Sequence, residues 1–163
     1  MTMRCILVAL ACVAVVTWPP ADAAECSRWR AAFLRMPTRD ISIEVGSRTL
    51  RVSVKVADDD EQRAAGFQCA TGADVERTKI LFDFGAEITT AFHMQNVAAP
   101  LDIAFAKGDG RIFSVQRMVP NQTALYQPMG PFRYALETRA GFFEQQGIRA
   151  GEARLALAGR RSS

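Results

Sequence analysis

The chain has 163 residues, 49% of them hydrophobic, with 20 basic and 17 acidic side chains and a net charge of +3. That length suits one globular domain, and a small excess charge spread along the chain favours neither nucleic-acid nor membrane-surface binding. The single histidine, His93, excludes a two-histidine zinc helix, and no Gly-x-Ser-x-Gly elbow, Walker loop, dinucleotide glycine fingerprint or Cys-x-x-Cys is present.

In chain order, a basic start (Met1 to Arg4) leads into 14 uncharged residues, Cys5 to Trp18, then Pro19-Pro20 and the small-residue site Ala21-Asp22-Ala23. This pattern predicts a secretory signal peptide over residues 1–23 and a periplasmic or secreted destination. The apolar run falls short of the roughly 20 residues that span a bilayer, so no stable membrane span is expected after cleavage. Removing 23 of the 163 residues leaves 140: an N-terminal helical segment (24–40), a mainly β domain (41–159) and a basic, polar tail (160–163).

Only Cys26 and Cys69 survive cleavage, and in an oxidising compartment they are expected to pair, clamping the N-terminal segment to the domain. A free, reactive thiol at Cys69 is the alternative.

Trp29, Ala32, Phe33 and Met36 recur at helical spacing, with Ser27 as candidate cap and Pro37 as stop. Ile41, Ile43 and Val45, then Leu50, Val52, Val54 and Val56, alternate with polar residues around Gly46-Ser47, which predicts a hairpin with one buried face. Asp58, Asp59 and Asp60 crowd the start of a helix reaching Gly66, where carboxylates suit the positive helix end. Their spacing lacks the loop and downstream glutamate of a calcium site.

Short strands follow at 79–84, 90–94, 101–107, 111–118, 133–138 and 152–158. Gly108-Asp109-Gly110 turns between the third and fourth of these, and a brief helix is expected from Gly141 to Gln146. The expected fold is a mainly β single domain, a sandwich or jelly roll or a small barrel, with two or three short helices.

Three stretches, FHMQNVAAPLDIAF (Phe92 to Phe105), GDGRIFSVQRMVP (Gly108 to Pro120) and RYALETRAGFFEQQGIRAG (Arg133 to Gly151), carry a collinear set of motifs. They resemble the bacterial and archaeal family called domain of unknown function 192 (DUF192). The resemblance runs from about Glu44 to Leu157. It implies a compact, mainly β fold, often exported, without an established activity. The chain departs from the family pattern at Gly66-Phe67-Gln68-Cys69, where many relatives have a Leu-Met-x-Arg run, and at Asn121, where many have a cysteine.

The candidate ligand-binding residues are His93, Asn96, Arg117 and Tyr134, polar groups on a β scaffold that could orient a small ligand or an envelope protein. That noncatalytic binding module is the first reading. A copper protein is an alternative, because imidazole and thioether suit Cu(I), with His93, Met94, Met118 and Met129 as donors; without it no cofactor is expected. A hydrolase-like enzyme is the third reading, with His93 as general base and Asp102 or Glu137 orienting it. Asp102 could equally close the turn from Asn96 to Pro100, and Glu137 could pair with Arg117, Arg133 or Arg139. Asn121-Gln122-Thr123 matches a glycosylation acceptor.

Overall fold

The computed structural model describes residues 21–120 and 123–157. The export segment as far as Pro20, the Asn121 acceptor and the basic tail lie outside the described residues.

Helix α1 (Ala23–Arg35) opens earlier than the sequence predicts, because Asp22 caps it: its carboxylate accepts the Glu25 N–H at 2.7 Å. Ser27, inside the helix, instead donates its hydroxyl to the Ala23 carbonyl at 2.8 Å. Ala32 and Phe33 are buried on the inner side of α1, and Met36, just past its end, is buried with them. The expected disulfide joins Cys26 to Cys69.

Strands β1 (Thr38–Val45) and β2 (Arg48–Ala57) form the predicted antiparallel hairpin. Asp59 caps α2 (Asp60–Ala65) by accepting the Gln62 N–H at 2.7 Å. A further helix, α3 (Gly72–Arg77), is not among the sequence expectations. It rests on a reciprocal capping box in which Thr71 and Asp74 each bond the other's backbone N–H, and the Thr-x-x-Asp spacing is its sequence signature.

Strands β3 (Ile80–Ile88), β4 (Leu101–Ala106), β5 (Ile112–Met118) and β6 (Phe132–Arg139), helix α4 (Phe142–Gln145) and β7 (Ala153–Leu157) complete the described elements. The seven described strands make one mixed, open sheet in the order β5-β4-β6-β3-β2-β1-β7, and among them only the β2–β3 pair is parallel. With 41% of the described residues in strand and 21% in helix, the fold is the mainly β single domain expected, although the described helices number four.

The strand predicted at 90–94 is absent. Phe92 makes a single antiparallel bridge with Tyr126, through backbone bonds of 2.9 and 2.8 Å. Both flanks of β4 are already taken by β5 and β6, so the segment finds no ladder to join there. It turns instead at Asn96, whose φ of +57° is the left-handed conformation asparagine tolerates.

The period of two along the central strands divides the core. Ile80, Phe82, Ile103, Phe105 and Ala135 face one side, where α1, α2 and α3 supply Phe33, Ala65 and Val75. Leu81, Ala104, Tyr134 and Leu136 face the other, closed by Phe142 and Phe143 of α4. On the first side Phe92, Phe105 and Phe132 pack edge-on or tilted, at centroid separations of 4.9 to 6.2 Å, spacings at which ring quadrupoles attract.

The sheet curls until its outer strands meet at one end, through an Arg111–Arg154 bridge and a 2.8 Å bond from the Leu155 N–H to the Gly110 carbonyl. Gly110 has a φ of +88°, and a Cβ there would lie 2.1 Å from the Leu155 oxygen, so the meeting requires glycine.

Candidate functional site

Glu137 lies on β6 in register with Ile80 of β3 and Ile103 of β4, on the sheet face that the first three helices cover. It is 5% exposed. No hydrogen bond or ion pair from the described residues reaches its carboxyl. The three arginines expected to pair with it are engaged elsewhere: Arg117 with Asp102, Arg133 with Asp83 and Arg139 with Glu76. Burial without a partner penalises the charged form and pushes its pKa up to about 8.

The carboxyl reaches a cavity of about 260 Å³ lined by Arg63, Phe67, Gln68, Phe82, Phe84, Thr90, Phe92 and His93, among others. Gly66 lies over it with a φ of +47°, and a Cβ there would stand 3.4 Å from the Phe82 ring and 3.6 Å from Glu137 Oε2. The bare backbone at Gly66 therefore leaves space beside the carboxyl.

His93 is exposed at the mouth of this cavity. Its Nδ1 accepts the Gln95 N–H at 3.2 Å, which places the proton of the neutral ring on Nε2. Partial burial lowers its pKa from the ordinary histidine value. Its neighbours Phe92 and Met94 turn into the core, Met94 completely.

Gln68 donates its amide to the Ala64 carbonyl at 2.6 Å and accepts from Asn96 Nδ2 at 3.2 Å, so Asn96 braces the cavity from behind. The Cys69 N–H donates to the Asn96 carbonyl at 2.8 Å, and the disulfide then ties this corner to α1. Arg63, in the wall, bonds Asp60 at 2.7 Å and the Asp83 carbonyl at 3.0 Å, and its guanidinium sits 5.5 Å from the centre of the Phe84 ring.

The structure therefore joins His93 with Glu137, supported by Asn96, and separates the other candidates from them. Asp102 does not close the Asn96 to Pro100 turn; it pairs with Arg117 across β4 and β5 and accepts the Gly141 N–H at 2.7 Å, which anchors the start of α4. The bond to Asp102 raises the Arg117 pKa, and both residues line a separate groove with Gln116, Glu144 and Arg149. Tyr134 is buried on the opposite face of the sheet. Met118 is fully buried and Met129 fully exposed. Among the described residues no three His, Cys, Asp or Glu side chains gather as a metal site, and no helix is long and apolar enough to cross a membrane.

Arg63, Gly66, Gln68, Phe82 and Phe84 were not foreseen as site residues. The one sequence cue is that Gly66 to Cys69 departs from the family pattern.

This is a β-rich domain in which a buried carboxyl, uncompensated among the described residues, borders an aromatic cavity. The chain belongs to the DUF192 family, described as "Uncharacterized ACR", whose profile matches residues 41–154. A solved structure from Sinorhizobium meliloti 1021, named "putative transcription regulator", is similar to it at 30% identity and a TM-score of 0.70, over 77% of this chain and 97% of that one. A protein of unknown function from Novosphingobium aromaticivorans DSM 12444 shares the fold at 19% identity and a TM-score of 0.68, over 88% of this chain and 94% of that one. No curated protein matches the chain.

Proposed function

We propose that this protein is an exported, noncatalytic small-ligand-binding module whose site is the Glu137 cavity. One observation carries the reading: a carboxyl 5% exposed, without a partner among the described residues, borders an opening lined by four phenylalanines. An unpaired buried ionisable group costs folding free energy, so it persists where an incoming group completes it. The N-terminal sequence pattern and the Cys26–Cys69 disulfide support export to an oxidising compartment. The small positive charge, spread along the chain, gives no reason to carry over the regulator name of the Sinorhizobium relative.

A broad thermal-shift screen tests the reading. Ligands of this site should raise the Tm of the wild-type protein and of Tyr134→Phe, but not of Glu137→Ala; a compound at one hundred times its Kd adds about 2.7 kcal/mol of stability. A screen without a Glu137-dependent shift would remove the proposal.

A second reading, acid–base catalysis, is favoured by one fact: burial moves His93 and Glu137 in opposite directions, and both line the same cavity. It predicts hydrolysis of some member of an ester panel, lost in His93→Gln. Turnover at the wild-type rate in that variant would eliminate His93 as the base.

A further inference from the structure

We propose that the ligand of the Glu137 cavity is a small organic ammonium ion, its charge met by the Glu137 carboxylate and its body by the phenylalanines of the wall. The inference rests on the binding reading above and narrows it to one class of ligand.

Among the described residues the carboxylate has no counter-charge, because the arginines that could supply one are committed. Arg117, Arg133 and Arg139 pair with Asp102, Asp83 and Glu76, and Arg63 pairs with Asp60. A cation that satisfies Glu137 must therefore arrive from solution.

The walls suit such a guest. Phe67, Phe82, Phe84 and Phe92 line the cavity, and aromatic rings attract cations without requiring hydrogen bonds from them. Phe84 already holds one cation in this way, the Arg63 guanidinium at 5.5 Å.

The lining of the cavity carries one fixed cation, and it already has a partner. From α2 the cavity receives Arg63, which pairs with Asp60, and from the segment after β3 it receives His93, whose pKa burial lowers. From β3 it receives only Phe82 and Phe84, and the residue paired with Glu137 on β4 is Ile103. A cavity of about 260 Å³ limits the ligand to roughly the size of one ring with a short ammonium arm.

Binding a permanent cation drives Glu137 into its charged form and expels its proton. Isothermal titration calorimetry with benzyltrimethylammonium, whose charge does not depend on pH, reads this directly, with benzyl alcohol and benzoate as neutral and anionic probes. With the Glu137 pKa near 8, affinity should rise about tenfold from pH 7 to pH 9. Close to one proton should be released at pH 7, seen as a dependence of the heat on buffer ionisation enthalpy.

Glu137→Gln, shown to be folded by a cooperative melt, should bind the cation at least about tenfold more weakly at pH 9 and without pH dependence. Glu137-dependent binding of benzyl alcohol or benzoate in place of the cation would overturn the ammonium class while leaving the binding reading intact. Failure of all three probes would overturn it too, and a blank broad screen beside that failure would take the binding reading with it.

Discussion

Glu137→Gln is expected to be more stable than the wild-type protein at pH 9 and about equal to it at pH 4. The wild-type carboxyl titrates near the ordinary value of 4.5 when unfolded and near 8 when folded. A group whose pKa folding raises contributes stability that is complete below the unfolded value and is lost as pH climbs towards the folded one. Between about pH 4.5 and 8 the wild-type protein should therefore lose stability that the glutamine variant keeps. Each pKa unit corresponds to about 1.4 kcal/mol, so the gap reaches on the order of a few kcal/mol. Urea midpoints at pH 4, 7 and 9 measure it. Because the variant shares every other titrating group, the difference between the two curves isolates Glu137. Parallel curves across the window would mean that the carboxyl is solvated or paired in solution.

Reducing the Cys26–Cys69 disulfide is expected to lower the Tm by on the order of 10 °C. The cysteines are 43 positions apart, and a loop of that length is worth about 4 kcal/mol in the chain-entropy account. The loss should be local before it is global. Cys69 follows Phe67 and Gln68 of the cavity wall and bonds Asn96, so release of α1 loosens that corner first. Hydrogen exchange at the Gln68 and Cys69 amides should rise with reductant at temperatures where the central strands remain protected. A Cys26→Ala, Cys69→Ala variant should show the lower Tm with or without reductant. An unchanged melt after both thiols have become reactive would show that noncovalent packing alone holds α1.

Most of the sheet was legible in the sequence because its strands obey strong local rules. Ile41 to Val56 alternate cleanly, and Gly108-Asp109-Gly110 announces a turn whose last residue, Gly110, takes the positive φ that glycine favours. The stretch from Thr90 to Met94 has strand-like residues but forms one bridge, because pairing depends on which sheet edges remain open and no local pattern records that. Helix α3 did leave a mark, the Thr71-x-x-Asp74 box, but six residues make a faint periodic signal.

His93 and Glu137 were each conspicuous as residue types, yet 44 positions separate them in the chain. Their shared cavity depends on the order of β3, β4 and β6 and on the bare backbone at Gly66. Arg117 and Tyr134 looked equally suitable. A one-residue change of position along a strand reverses the face, and so Tyr134 lies across the sheet from Glu137, three residues away.

The meeting of β5 and β7 at Gly110 bears on how this molecule behaves among its own copies. An open sheet presents two rows of unpaired amides and carbonyls, each a template for a strand from another chain. Here part of each row is turned towards the other and consumed by the Leu155–Gly110 bond. A side chain at position 110 would force the rims apart and bare them. Gly110→Val should therefore be recognised first by self-association, with the cavity on the sheet face that α1, α2 and α3 cover still formed in the molecules that stay monomeric.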